Sequence, residues 1–107
     1  MDESFDGAKI YRVLANDTRR EILELLREPL KHFDNDKYLG YGLAIEGGIC
    51  VQDIQRSLNI SQSVASTYLK SMQDAGLLLS YRAGRWTYYR RDEKGIGAFS
   101  DWVRKTL

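Results

Sequence analysis

Residues 51–76 read VQDIQRSLNISQSVASTYLKSMQDAG, and the spacing of their apolar side chains decides the fold. Val51, Ile54 and Leu58 recur at helical intervals and predict a helix of about two turns. Asn59-Ile60-Ser61 then breaks the pattern as a tight turn. Ser61 is placed to cap a second helix, and Gly76 is a natural place for it to stop. Two short helices separated by such a turn spell helix-turn-helix.

The second helix has two unlike faces. At about 100° per residue, Gln62, Ser63, Ser66, Thr67 and Lys70 share an arc of about 140°. Val64, Ala65, Tyr68, Leu69 and Met72 lie opposite, at roughly 200° to 340°, and are expected to face the core. A helix entering the major groove needs short side chains for close approach, and hydroxyl or amide groups to meet base edges. Gln62 can pair bidentately with adenine, while Ser61, Ser63, Ser66 and Thr67 can serve bases or phosphates. An ordinary solvated face would carry more Lys and Glu, which favour helix more than Ser and Thr do. Only Lys70 and Asp74 are charged here.

Beyond Gly76, residues 77–91 alternate and are rich in aromatic side chains, with a turn at Ala83-Gly84, as in a β-hairpin. This segment carries Arg82, Arg85, Arg90 and Arg91 and no acid. Arginine at a hairpin tip can reach flanking phosphates or a narrow minor groove, and Arg82 and Arg85 are the candidates. Trp86, Tyr88 and Tyr89 allow base stacking, but alternating strand side chains share one buried face, so at least two are expected to pack inward. Residues 93–107 place Ile96, Phe99, Val103 and Leu107 on one helical stripe beside Trp102, with Asp92-Glu93 suited to the positive helix start.

Working back toward the N-terminus, residues 5–15 suggest a helix capped by Ser4 and weakened by Gly7. Asn16-Asp17-Thr18 offers caps for the next helix, and Thr18 with Glu21 fits a capping box. Ile22, Leu23, Leu25 and Leu26 form its apolar stripe, and it should end at Glu28, before Pro29. Residues 29–48 show no clear period and are expected to form an extended loop: either a functional or dimer-contacting element, or a tolerated insertion.

The chain of 107 residues has room for one domain and a modest core. With 43% hydrophobic and 29% charged residues it is not a disordered chain. Residues 1–48 carry seven basic and ten acidic side chains, whereas residues 49–107 carry nine and five, so the second half is the one suited to a polyanion. No stretch is apolar enough to span a bilayer, and Met1-Asp2-Glu3-Ser4 lacks the features of a signal peptide, so a cytoplasmic location without membrane contact is expected. Cys50 is the single cysteine, which excludes an intrachain disulfide and a four-thiolate zinc site. Ser61, Ser63 and Ser66 have no histidine nearby in sequence, and neither a phosphate loop nor a two-carboxylate constellation is present. Neither an enzyme nor a cofactor is expected.

Several segments, in order, resemble the ArsR/SmtB family of bacterial winged-helix repressors. Residues 14–23 (LANDTRREIL) are similar to the family's second helix, and residues 61–70 (SQSVASTYLK) to its recognition helix. Ala75-Gly76-Leu77-Leu78 and residues 84–89 (GRWTYY) resemble the turn into the wing and its second strand. The resemblance implies a mainly helical winged helix-turn-helix with a small β-hairpin, homodimers joined through the terminal helices, and a repressor bound to an inverted-repeat operator on double-stranded DNA until a signal releases it. Ile10, Ile96, Phe99, Trp102 and Val103 are the dimer candidates, since a terminal helix with such an apolar stripe needs a cover.

The chain also departs from that family. Ile49-Cys50-Val51-Gln52-Asp53 resembles the metal-sensing motif with Gln52 where a second cysteine would stand. The last helix has no histidine and, after Gly95, only Asp101 as an acid. No metal site is expected. Two other readings stay open: a winged helix that binds a protein, and a repressor that responds to oxidants through Cys50 at the start of a helix. A buried, inert Cys50 is the plainer alternative. The 29–48 segment and the dimer interface are candidate sites for an unknown small-molecule effector.

Overall fold

The computed structural model describes residues 5–107. Among these residues seven α-helices surround a three-stranded antiparallel sheet: α1 (Gly7–Leu14), α2 (Asp17–Arg27), α3 (Pro29–His32), α4 (Asn35–Gly40), β1 (Ile49–Cys50), α5 (Val51–Leu58), α6 (Gln62–Asp74), β2 (Leu78–Ala83), β3 (Trp86–Arg91) and α7 (Glu93–Thr106). The strand order is β1-β3-β2. Among the described residues no helix is long and apolar enough to cross a membrane.

The helix ends follow from local chemistry. Asp6 accepts from the Lys9 N–H at 2.9 Å and starts α1; Ser4, expected as its cap, lies outside the described residues. Helix α2 is capped by Asn16, whose side chain accepts from the Arg19 N–H at 3.0 Å, and not by the expected Thr18–Glu21 box. Asn16 wins because it alone of the three candidates has extended backbone angles, leaving Asp17 and Thr18 inside the helix. The helix ends at Arg27, with Glu28 as its C-cap, as Pro29 requires.

Residues 29–48 are not the extended loop that their pattern suggested. They fold into α3, α4 and a single 3-10 turn over Ile45–Gly47, and Tyr38 and Ile45 enter the core at 1% and 0% exposure. Pro29 opens α3 at a position where its missing N–H costs nothing, and Asp34 caps α4. Helices of four and six residues are too short to display a 3.6-residue period, so tertiary packing decides them.

The core gathers Ile22 and Leu26 of α2, Ile54 of α5, Leu69 and Met72 of α6, Leu77, Leu78, Ile49 and Tyr88 around those two residues. Each fully buried aliphatic side chain contributes roughly 1.5–3 kcal/mol. Strands β2 and β3 pair from Leu78–Arg91 to Ala83–Trp86, so two residues, Gly84 and Arg85, form the turn. Gly84 has φ +63°, as a type II′ turn requires at its first central position. The two-residue β1 pairs Ile49 with Tyr89 and Cys50 with Tyr88, adding an edge the sequence pattern did not reveal.

Candidate nucleic-acid interface

Helices α5 and α6 meet through Asn59, whose left-handed backbone (φ 53°) turns the chain sharply at small cost for an asparagine. Ser61 Oγ then accepts from the Val64 N–H at 3.2 Å, so α6 starts where the sequence places it. Ala65, Leu69 and Met72 are fully buried and fix the rotation of the helix. That rotation leaves Gln62, Ser63, Ser66, Thr67 and Lys70 exposed on one face, together with the cap residue Ser61.

Val64 departs from expectation. It is 37% exposed and belongs to the rim of the outward face. At the first turn α6 projects past the core, so its buried arc is narrower there than further along. Tyr68 is half-buried instead, with the Arg19 guanidinium 5.0 Å from its ring centre and its hydroxyl accepting from Asn16 at 3.3 Å. These contacts lock α6 against the start of α2.

The wing divides its arginines. Arg82 and Arg85 are exposed near the turn and have no acid beside them in the strands. Arg91 is committed to structure, donating to Glu93 at 2.8 Å and to the Leu23 carbonyl at 3.3 Å. Tyr88 is buried and stacks on Tyr81 with ring centres 5.2 Å apart, and Tyr89, on the opposite face of β3, is half-buried, so two of the three aromatics of β3 are at least partly covered, though not on the one shared face expected. Trp86 stays 38% exposed.

The terminal helices pack on each other through Tyr11, Phe99 and Trp102, with the Tyr11 ring 5.6 Å from both of the others. Gly7 lies against Trp102 so closely that a β-carbon there would meet the indole at 2.6 Å. Gly7 therefore makes this packing possible rather than weakening the helix. Ile10, expected at a dimer interface, is 3% exposed in the single chain and belongs to its own core. Ile96, Phe99, Trp102 and Val103 remain partly exposed, and α7 has no buried residue in all its length. Tyr11, 40% exposed beside them, was not among the candidates read from the sequence.

Cys50 is half-buried at the junction of β1 and α5, and its N–H donates to the Tyr38 hydroxyl at 2.9 Å. Among the described residues no three His, Cys, Asp or Glu side chains are grouped to hold a metal ion.

A polar, exposed second helix behind a tight left-handed turn, flanked by an arginine-bearing hairpin, defines a winged helix-turn-helix DNA-binding protein. The profile of the arsR family of bacterial regulatory proteins matches residues 43–80. An uncharacterized HTH-type transcriptional regulator of Bacillus subtilis, YbzH, is 36% identical over 99 residues, covering 92% of this chain and 96% of that protein. The arsenical resistance operon repressor of the same organism is 32% identical over 89 residues, covering 80% and 85%. Among solved structures, the homodimeric winged helix-turn-helix domain of a possible ArsR-family regulator from Mycobacterium bovis superimposes with a TM-score of 0.61. It is 24% identical and covers 94% of this chain and 80% of its own. The chain belongs to the ArsR family of DNA-binding transcriptional regulators, which are not enzymes.

Proposed function

We propose that this regulator is a repressor that binds an inverted-repeat operator as a homodimer. The observation that carries the reading is the exposed face of α6, where Gln62, Ser63, Ser66, Thr67 and Lys70 stand clear of the core beside the acid-free tip of the wing. Gln62 and Ser66 read base edges in the major groove, and Ser61, Ser63, Thr67 and Lys70 hold bases or phosphates. Arg82 and Arg85 bind the backbone flanking each half-site. Two copies join through α1 and α7, with Tyr11, Ile96, Phe99, Trp102 and Val103 between them, and so present two recognition helices about one DNA turn apart. Repression in place of activation is supported by the relative that controls an arsenical resistance operon.

Selection from a random duplex pool, followed by gel retardation, tests this. The expected product is an imperfect inverted repeat whose half-site centres lie about one helical turn, or a multiple, apart, bound by two chains. A protein that stays monomeric and retards none of the selected duplexes contradicts the reading and favours a protein-binding role for the same surfaces.

A further inference from the structure

The segment 29–48 builds one wall of a cleft that the DNA-binding reading does not use. Helix α4 supplies Lys37 and Tyr38, Tyr41 follows at its end, α5 supplies Asp53 and Arg56, and Trp86 and Tyr88 come from β3. The cleft has a volume of about 260 Å³. A dry apolar cavity of about 150 Å³ is enough to hold benzene, so a substituted single ring fits this space.

The chemistry of the walls narrows the occupant. Tyr41 and Trp86 offer exposed aromatic surface at the mouth, above the buried rings of Tyr38 and Tyr88. Asp53 is the one carboxylate lining the cleft, and it is already committed. It accepts from the Tyr38 hydroxyl at 2.7 Å and from Lys37 at 2.8 Å, while Arg56 approaches only to 3.5 Å. Two cations thus share one anion. The Asp53 side chain is 12% exposed and that of Arg56 is 69%, so the surplus positive charge stands at the mouth. We infer that this cleft is an effector site for a small aromatic carboxylate, whose ring lies between Tyr41 and Trp86 and whose anion pairs with Arg56.

The site's position gives the occupant a regulatory effect, and this part of the inference rests on the DNA-binding reading above. A ligand here touches α5, the first helix of the helix-turn-helix, and Trp86, which follows Arg85 at the wing turn. It adds a negative charge next to the surface that meets phosphates, which opposes DNA binding. Linkage requires the operator to weaken the ligand by the same factor.

Benzoate serves as the probe, with the full chain labelled so that the indole N–H signals of Trp86 and Trp102 are followed separately. The expected result is a saturable shift of Trp86 with Trp102 unmoved. Benzyl alcohol, which keeps the ring and lacks the charge, binds at least about tenfold more weakly, as does benzoate to Arg56→Ala, since each loses a charge-assisted contact. Tyr41→Ala weakens benzoate in the same direction, and saturating benzoate lowers operator affinity by about fivefold or more. An unmoved Trp86 signal up to about 10 mM benzoate, or equal binding of benzyl alcohol, overturns the proposal. So does an unchanged affinity in Arg56→Ala. If Trp86 responds as expected but no duplex is bound in the absence of benzoate, the DNA-binding reading fails and the site stands.

Discussion

Gly95 and Gly76 meet backbone to backbone where the end of α6 touches the start of α7. A β-carbon on Gly95 would lie 1.9 Å from the Gly76 carbonyl oxygen and 3.3 Å from the carboxyl carbon of Asp92, the cap of α7. Neither neighbour can retreat without loosening a helix end, so Gly95→Ala should cost at least about 1–3 kcal/mol, read as a fall in urea midpoint with an unchanged slope. Tyr38 makes a different kind of single-residue contribution. Its hydroxyl accepts from the Cys50 N–H and donates to Asp53, and Tyr38→Phe should cost about 1–3 kcal/mol by leaving those partners unpaired. Burial, and then the Asp53 hydrogen bond, push the Tyr38 phenol well above its ordinary value of 10.0. The folded chain therefore keeps a proton that the unfolded chain releases as pH rises past 10.0, so this contribution is full below that pH and declines progressively as pH rises from there toward the folded-state value. Wild type and Tyr38→Phe should converge in stability above pH 10.0 when urea midpoints are compared across the range. Burial also raises Tyr88 and Tyr89, and their share of the alkaline loss stays in both proteins. Cys50 packs against the core beside this contact. Cys50→Ser should leave operator binding and its behaviour in peroxide unchanged. Reversible loss of DNA on oxidation of the wild type, absent from the serine variant, would restore the redox reading.

At the scale of elements, the exposed polar face was legible because α6 is long enough to carry its own evidence. Thirteen residues give more than three turns, a serine cap and a glycine stop, and the exposed residues match the predicted polar arc except at Val64. The shorter elements were not legible. Strand β1 has two residues, and α3 and α4 have four and six, so no periodicity could announce them. The Tyr38 hydroxyl that ties α4 to α5 and β1 spans twelve to fifteen residues of sequence, beyond the reach of local pattern. The division of labour between helix and wing is testable at this same scale. Gln62→Ala or Ser66→Ala should cost about 1–3 kcal/mol of operator affinity and relax base preference at one position of each half-site. Arg85→Ala should weaken all duplexes alike and lower the slope of log affinity against log salt by about one per lost phosphate contact. Affinities measured on the selected operator and on scrambled duplexes, across a salt series, separate the two. Equal, salt-insensitive effects from all three variants would contradict the assignment.

The molecule as a whole is elongated, with extents of 45 × 25 × 24 Å and a radius of gyration of 14.4 Å, where a compact chain of this length comes to about 13 Å. That shape leaves surface uncovered, most plainly along α7, whose fourteen residues include none that is buried. Apolar spacing located this helix in the sequence but could not tell which apolar side chains of α1 face inward. Ile10 and Val13 enter the chain's own core, while Tyr11 between them faces Phe99 and Trp102 at the surface. A partner chain would cover that aromatic cluster, and Val103 offers the cleanest test because it is half-buried and the cluster does not depend on it. Val103→Glu should leave the monomer folded, since the carboxylate can reach water, yet place a charge with no partner inside the interface. Sedimentation should then show a monomer at concentrations where the wild type is a dimer. Operator affinity should fall by about a hundredfold or more, because each half-site must then be bound without its twin. Gly7→Ala would not serve, as the indole of Trp102 already fills that space and the chain itself would be disturbed. A Val103→Glu protein that remains dimeric and binds the operator as tightly as the wild type would place the interface elsewhere, and with it the spacing of the two recognition helices.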